Sequence, residues 1–151
     1  MRLPVNNPVI TSRYGWRILN GQRQWHNGID LISRESSKVY SPFPDGVVVY
    51  DMDNYNELTR WSDAHMSGGN MICIQYIVNG IKYYMRFLHL GINIVFNGQK
   101  VSEGQELGYY ANVGISYGAH THNDLYDEKW VNLNIEEFYT TLGLLPIKET
   151  N

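Results

Sequence analysis

The stretch Met71-Ile72-Cys73-Ile74-Gln75-Tyr76-Ile77-Val78-Asn79-Gly80-Ile81-Lys82-Tyr83-Tyr84-Met85-Arg86-Phe87-Leu88 decides the fold. Two runs rich in β-branched and aromatic residues flank Asn79-Gly80. That dipeptide is the strongest short hairpin signal, because a type I′ turn needs positive φ at both central residues. Residues 71–78 and 81–88 are therefore predicted to be the strands of a central antiparallel hairpin. In the second run Ile81, Tyr83, Met85 and Phe87 share one parity and form an apolar face, and His89 follows. The single cysteine, Cys73, lies inside the first run. It rules out an intrachain disulfide and reads as a buried, inert thiol.

Working outward, residues 28–32, 46–51, 106–110 and 119–126 read as further strands, separated by clusters of Gly, Pro, Asn and Ser. Twelve Tyr and fourteen Gly in the chain fit a strand-rich, turn-rich protein. One stretch looks helical: Asn134 is placed to cap Ile135-Glu136-Glu137-Phe138, with an acid at the third helical position and Gly143 to end it. Residues 51–69 are polar and weakly periodic, and read as a long loop. The fold class expected is mainly β: a small antiparallel β-sheet domain with a short C-terminal helix.

The 151 residues are read as one domain, 1–151. A hydrophobic fraction of 43% suffices for a core. No run approaches the ~18 apolar residues of a membrane span, so no membrane insertion is expected. A formal charge of −3 and a pI near 5.9 leave no basic footprint for nucleic acid. The opening Met1-Arg2-Leu3-Pro4-Val5-Asn6-Asn7-Pro8 holds no apolar leader core. The expectation is a protein released by lysis or carried in a particle, as a phage endolysin or tail enzyme is, or a chain trimmed of its leader.

Five histidines are present: His26, His65, His89, His120 and His122. His26 and Asp30 stand four apart across Gly28, a glycine that lets the chain bend between them. His120 and His122 stand at i and i+2, so on a strand both leave the same face. Each pair alone is a weak signal, and His89 alone is more often a half-buried structural histidine. Together they match a hydrolytic zinc site, which takes three ligands from His, Asp or Glu and keeps a fourth position for water. Remaining histidines would then serve proton transfer and the oxyanion. The residues leave open which of His120 and His122 reaches the metal. A zinc deaminase is excluded, because that class needs paired cysteines.

At these motifs the sequence resembles the lysostaphin/LytM-type peptidoglycan endopeptidases. Ile10-Thr11-Ser12-Arg13-Tyr14-Gly15-Trp16-Arg17 resembles the family's opening segment, and His26-Asn27-Gly28-Ile29-Asp30 its H-x-G-x-D metal motif. Asp45-Gly46-Val47-Val48, Gly69-Asn70 and Phe87-Leu88-His89-Leu90 follow in the family's order. So do the doubled turn from Gly98-Gln99 to Gly104-Gln105 and the run from Gly114 to His122. The resemblance implies that His26, Asp30 and His122 bind Zn2+, and that His89 and His120 are the catalytic pair. It implies a zinc endopeptidase acting at the cell wall on peptidoglycan peptides, with the site in a groove on the sheet. Where the family has H-L-H-F-E this chain has His120-Thr121-His122-Asn123-Asp124. Thr121 and Asn123 would face away from the site, and Asp124 would accept from a histidine. His65 is expected at the surface. Trp25, Tyr117 and Tyr126 are candidate groove aromatics. The competing readings are a non-cleaving wall-binding or hydrolase-activating module and a structural part of a phage tail.

Overall fold

The computed structural model describes residues 1–52, 68–113 and 118–147. His65, Tyr117 and nearly all of the 51–69 loop lie outside the described residues. In chain order the strands are β1 (Pro8–Ser12), β2 (Gly15–Leu19), β3 (Gln22–His26), β4 (Gly28–Ser33), β5 (Lys38–Tyr40) and β6 (Gly46–Met52). They continue as β7 (Asn70–Val78), β8 (Ile81–Asn93), β9 (Lys100–Val101), β10 (Glu106–Tyr110), β11 (Thr121–Asp127) and β12 (Asn132–Leu133), followed by helix α1 (Ile135–Thr141).

The central hairpin forms as its turn requires. Asn79 has φ 50° and Gly80 φ 80°, and Val78 pairs with Ile81. The main sheet runs β1-β4-β11-β8-β7-β6-β9, with every ladder antiparallel. β10 joins β8 to β5, and β12 extends β11. β2 and β3 form a separate two-stranded hairpin. Its turn, Asn20-Gly21, has φ 50° and 75° and so repeats the geometry of Asn79-Gly80.

One face of the sheet is dry. Ile29, Leu31, Ile72, Ile74, Met85 and Phe87 are fully buried there, and Phe43, Tyr76 and Tyr139 belong to the same core. Burying each such side chain contributes roughly 1.5–3 kcal/mol. Helix α1 is capped as expected, with the Asn134 side chain accepting from the Glu137 N–H at 3.1 Å. Gly143, at φ 75°, follows its last turn.

The predicted strands all form, with two boundary corrections that matter. The strand expected over 119–126 begins at Thr121 and runs to Asp127, while His120 makes only an isolated bridge to Ala111. The strand expected to stop at Leu88 continues through His89 to Asn93. Thr121 and Asn123 do turn inward: the Thr121 hydroxyl donates to the Leu88 carbonyl, and Asn123 is bonded to the Arg86 carbonyl and the Tyr139 hydroxyl.

Cys73 is fully buried, and burial pushes its thiol up to about 12, against a smaller opposing pull from Arg86. Thiol-specific labelling is therefore expected to miss Cys73 in native protein and to go to completion after denaturation. Prompt labelling of the folded chain would contradict this.

Candidate metal centre

The centre is assembled by strand register. Across the β4–β11 ladder Asp30 stands opposite His122, and across β11–β8 His122 stands opposite Leu88. Residues 122, 124 and 126 project from the face of the sheet opposite the core. His26, the last residue of β3, closes the cluster from the side hairpin. His26 Nε2 lies 3.1 Å from His122 Nδ1. Asp30 Oδ1 lies 3.0 Å from His122 Nδ1 and 3.2 Å from His26 Nε2. A tetrahedral ion with ligand bonds of ~2.0 Å has donor–donor edges of about 3.3 Å. The near-equilateral triangle is thus the right size for zinc, and two imidazoles with one carboxylate are the right donors. Among the described residues this is the one such group of three.

The far side of each donor is occupied too. His26 Nδ1–H donates to the Arg13 carbonyl at 2.7 Å, leaving Nε2 for the cluster. His122 Nε2 lies 3.1 Å from Asp124 Oδ2, leaving Nδ1 for the cluster. Asp30 Oδ2 lies 3.4 Å from Arg17 Nη1. Metal-ligating histidines characteristically present their second nitrogen to a carboxylate or carbonyl in this way. Burial opposes the Asp30 carboxylate, but hydrogen bonds from His122 and His26 hold it well below the usual carboxylate range. Burial also opposes a proton on His122, yet Asp124 and Asp30 raise its proton affinity above the ordinary value.

The sequence reading of Gly28 needs correction. Its φ is not left-handed, so the backbone there needs no conformation special to glycine. It makes room: a Cβ there would lie 2.4 Å from the Asn123 carbonyl oxygen and 2.7 Å from His122 Cε1. The His122 ring sits where that side chain would be.

His89 also departs from the pattern. Strand parity puts it with Phe87 on the core side. The structure instead gives His89 φ 60° at a register shift, where β8 is bulged against β7 between Phe87 and Leu90. The extra residue resets the alternation, so that Phe87 and then Leu90 are the core residues. His89 is thereby turned to the metal side, with ring centroids 4.7 Å from His120 and 6.3 Å from His122. Its Nδ1–H donates to the Val113 carbonyl at 2.8 Å. His120 Nδ1–H donates to the Gly118 carbonyl at 2.7 Å, and its Nε2 lies 3.6 Å from Asp30 Oδ1. Both catalytic candidates therefore stand beside the triangle, together with Asp124.

The groove around them is walled by β2–β3, which contributes Arg17, Gln24 and Trp25. Sequence reasoning missed this hairpin, although Asn20-Gly21 signals it. It also missed Arg86, which lies opposite Asp124 on β8. Tyr126 belongs to the sheet floor, bonded to Arg86 at 2.9 Å.

Two outcomes follow from this geometry. Gly28→Ala should displace the His122 ring and weaken metal binding on the order of 10-fold, as losses of ligand support do; chelator competition measures it. His89→Gly should be more stable than His89→Val by roughly 1–2 kcal/mol, because only glycine accepts a left-handed φ without penalty; denaturant unfolding of the two proteins decides it.

With the geometry established, the chain can be set beside known proteins. Peptidoglycan DD-endopeptidase ShyA of Vibrio cholerae is 39% identical over 100 residues, 66% of this chain and 20% of that protein. The chain thus spans about a fifth of that relative's length. A zinc-containing peptidase from Vibrio cholerae aligns with TM-score 0.64 at 29% identity, over 87% of this chain and 38% of that one. The catalytic domain of lysostaphin from Staphylococcus simulans aligns with TM-score 0.66 at 24% identity, over 89% and 93%. That match shows the same fold. The model of peptidase family M23 matches residues 24–134, which take in the whole cluster from His26 to His122, and the chain belongs to that family.

Proposed function

We propose that this chain is a zinc-dependent endopeptidase that hydrolyses peptide bonds in the cross-links or stem peptides of bacterial peptidoglycan. In this reading His26, Asp30 and His122 hold the metal, His89 and His120 handle protons and the oxyanion, and residues 1–151 work as one peptidase domain at the cell wall. The observation that carries the reading is the 3.0–3.2 Å triangle of His26 Nε2, Asp30 Oδ1 and His122 Nδ1 with two further histidines beside it. Membership of the M23 family supports peptidase chemistry. The peptidoglycan substrate is supported by the likeness to ShyA, and zinc by the likeness to the zinc-containing Vibrio peptidase.

Bound zinc supplies a Lewis acid for the scissile carbonyl and lowers the pKa of water towards ~7. The protein's own groups do the rest. His89 and His120 each spend Nδ1–H on a backbone carbonyl, so each turns Nε2 to the reaction. Burial, and then the neighbouring His120, push the His89 imidazole down to about 4, so it is neutral at pH 7. A neutral Nε2 takes the proton of the attacking water and returns it to the leaving amine. The second imidazole, once protonated, donates to the oxygen on which negative charge develops. The open groove admits an extended peptide, with the β2–β3 hairpin as one wall.

The test is digestion of purified sacculi and cross-linked muropeptides by zinc-loaded protein, read by mass spectrometry of the released fragments. Cleavage at one class of peptide bond is expected, abolished by His122→Ala and by chelation, and restored by zinc. Folded, zinc-loaded protein that binds sacculi but releases nothing would replace this reading with the non-cleaving one. His89→Ala and His120→Ala should each lose about 10²–10⁴ in kcat while retaining stoichiometric zinc. Loss of zinc from either variant would instead make that histidine a ligand.

A further inference from the structure

We propose that Arg86 and Asp124 are positioning residues for the metal site, jointly fixing which nitrogen of His122 faces the cluster. This rests on His122 being a ligand. Asp124 lies two residues beyond His122 on the same face of β11 and is fully buried. Arg86 is its direct partner across the β8–β11 ladder. The guanidinium grips both carboxylate oxygens, Nε to Oδ1 at 2.8 Å and Nη2 to Oδ2 at 2.6 Å. Such a planar, two-armed pair fixes orientation as well as charge. The guanidinium is itself held in place. The Tyr126 hydroxyl lies 2.9 Å from Nη2, its ring centroid lies 5.1 Å from the guanidinium carbon, and Asn27 Nδ2 donates to that hydroxyl at 3.3 Å.

With both ends fixed, Asp124 Oδ2 arrives 3.1 Å from His122 Nε2. An ionised carboxylate only accepts hydrogen bonds, so Nε2 must carry a proton, and Nδ1, which faces His26 and Asp30, is the nitrogen that would give its lone pair to a bound metal. A histidine placed over Gly28 has two ring nitrogens and can in principle offer either. The missing Cβ of Gly28 gives the ring its space, and Asp124 selects its tautomer. Arg86 acts one step further out, by aiming Asp124. Neither residue belongs to the triangle of His26, Asp30 and His122, so their loss should act on metal binding through the orientation of His122.

The experiment compares wild type with Asp124→Asn, Arg86→Lys and the double variant Arg86→Gln/Asp124→Asn, which removes the buried charges as a pair. Three readouts are taken on folded protein: zinc affinity by chelator competition, the visible spectrum of the Co2+-substituted protein, and the His122 tautomer by long-range 1H–15N NMR. Zinc-loaded wild type should show the Nε2–H tautomer. Asp124→Asn and the double variant should bind zinc about 10–100-fold more weakly, with a changed tautomer balance and an altered Co2+ spectrum. Arg86→Lys, which keeps the charge but loses one arm, should fall between. Wild-type affinity and an unchanged tautomer in folded Asp124→Asn or in the double variant would overturn the proposal. If Asp124→Asn fails to fold, the double variant decides alone. If wild type itself takes up no zinc, the metallopeptidase reading fails first, an outcome distinct from zinc-loaded wild type with indifferent variants.

Discussion

Asp30 and His122 meet because β4 and β11 pair in one register, and the remainder of the site depends on that pairing. Side chains alternate between faces, so a slip of one residue would send Asp30 or His122 into the core and Ile29 or Asn123 into the groove. The register is protected from the dry side. Ile29, Leu31, Leu125, Met85 and Phe87 are completely buried across the three strands β4, β11 and β8. A slip would expose these side chains at roughly 1.5–3 kcal/mol apiece. The same ladder brings Gly28 opposite Asp124, and the absent side chain there is what leaves room for the His122 ring.

Around this pair each donor is braced by a different part of the chain. The Arg13 carbonyl that orients His26 sits in a segment tied down by Glu136 of α1. Glu136 accepts from Arg13 Nη1 at 2.7 Å and from the Tyr14 N–H at 2.9 Å. Asp30 is braced by Arg17 of the side hairpin, itself bound to Ser12 Oγ at 2.9 Å and to Gln24. His122 is braced through Asp124 by Arg86 of the central hairpin. Taking Asp30 and Asp124 out of water costs several kcal/mol per ion unless partners surround them. Here Arg17, Arg86 and two imidazoles do so.

Much of this was readable in the sequence, and the failures have definite causes. Asn79-Gly80 gave the central hairpin, because only a few dipeptides tolerate positive φ twice. The identical signal at Asn20-Gly21 was overlooked because the flanking strands, with Trp16 and Ile18 exposed, bury no regular face. Strand parity alone could not have turned His89 to the groove, since alternation assumes an unbroken ladder and a bulge adds one residue. Its left-handed φ depends on the tertiary contacts of Gly68 and Ala111 with its backbone. The role of Gly28 was invisible because it concerns a ring 94 positions away in the chain, at His122. The braces Arg86, Arg17 and Glu136 carry no motif of their own. They are ordinary charged residues until the ladder places them.

β11 shows most sharply why pattern alone stops short. Its groove side carries His122, Asp124 and Tyr126, while its core side carries Thr121 and Asn123 before Leu125, so neither face reads as apolar. A buried amide without partners would cost roughly 1–3 kcal/mol. Asn123 avoids that by donating to the Arg86 carbonyl at 2.9 Å and accepting from the Tyr139 hydroxyl. Tyr139 stands one helical turn after Glu136, so α1 supports the candidate metal site twice. It holds β11 from beneath through Tyr139 and the His26 brace at the rim through Glu136. A helix of seven residues is too short to be stable alone. Its folding is therefore coupled to the strands it supports, and this helix becomes part of what holds the candidate ligands in place.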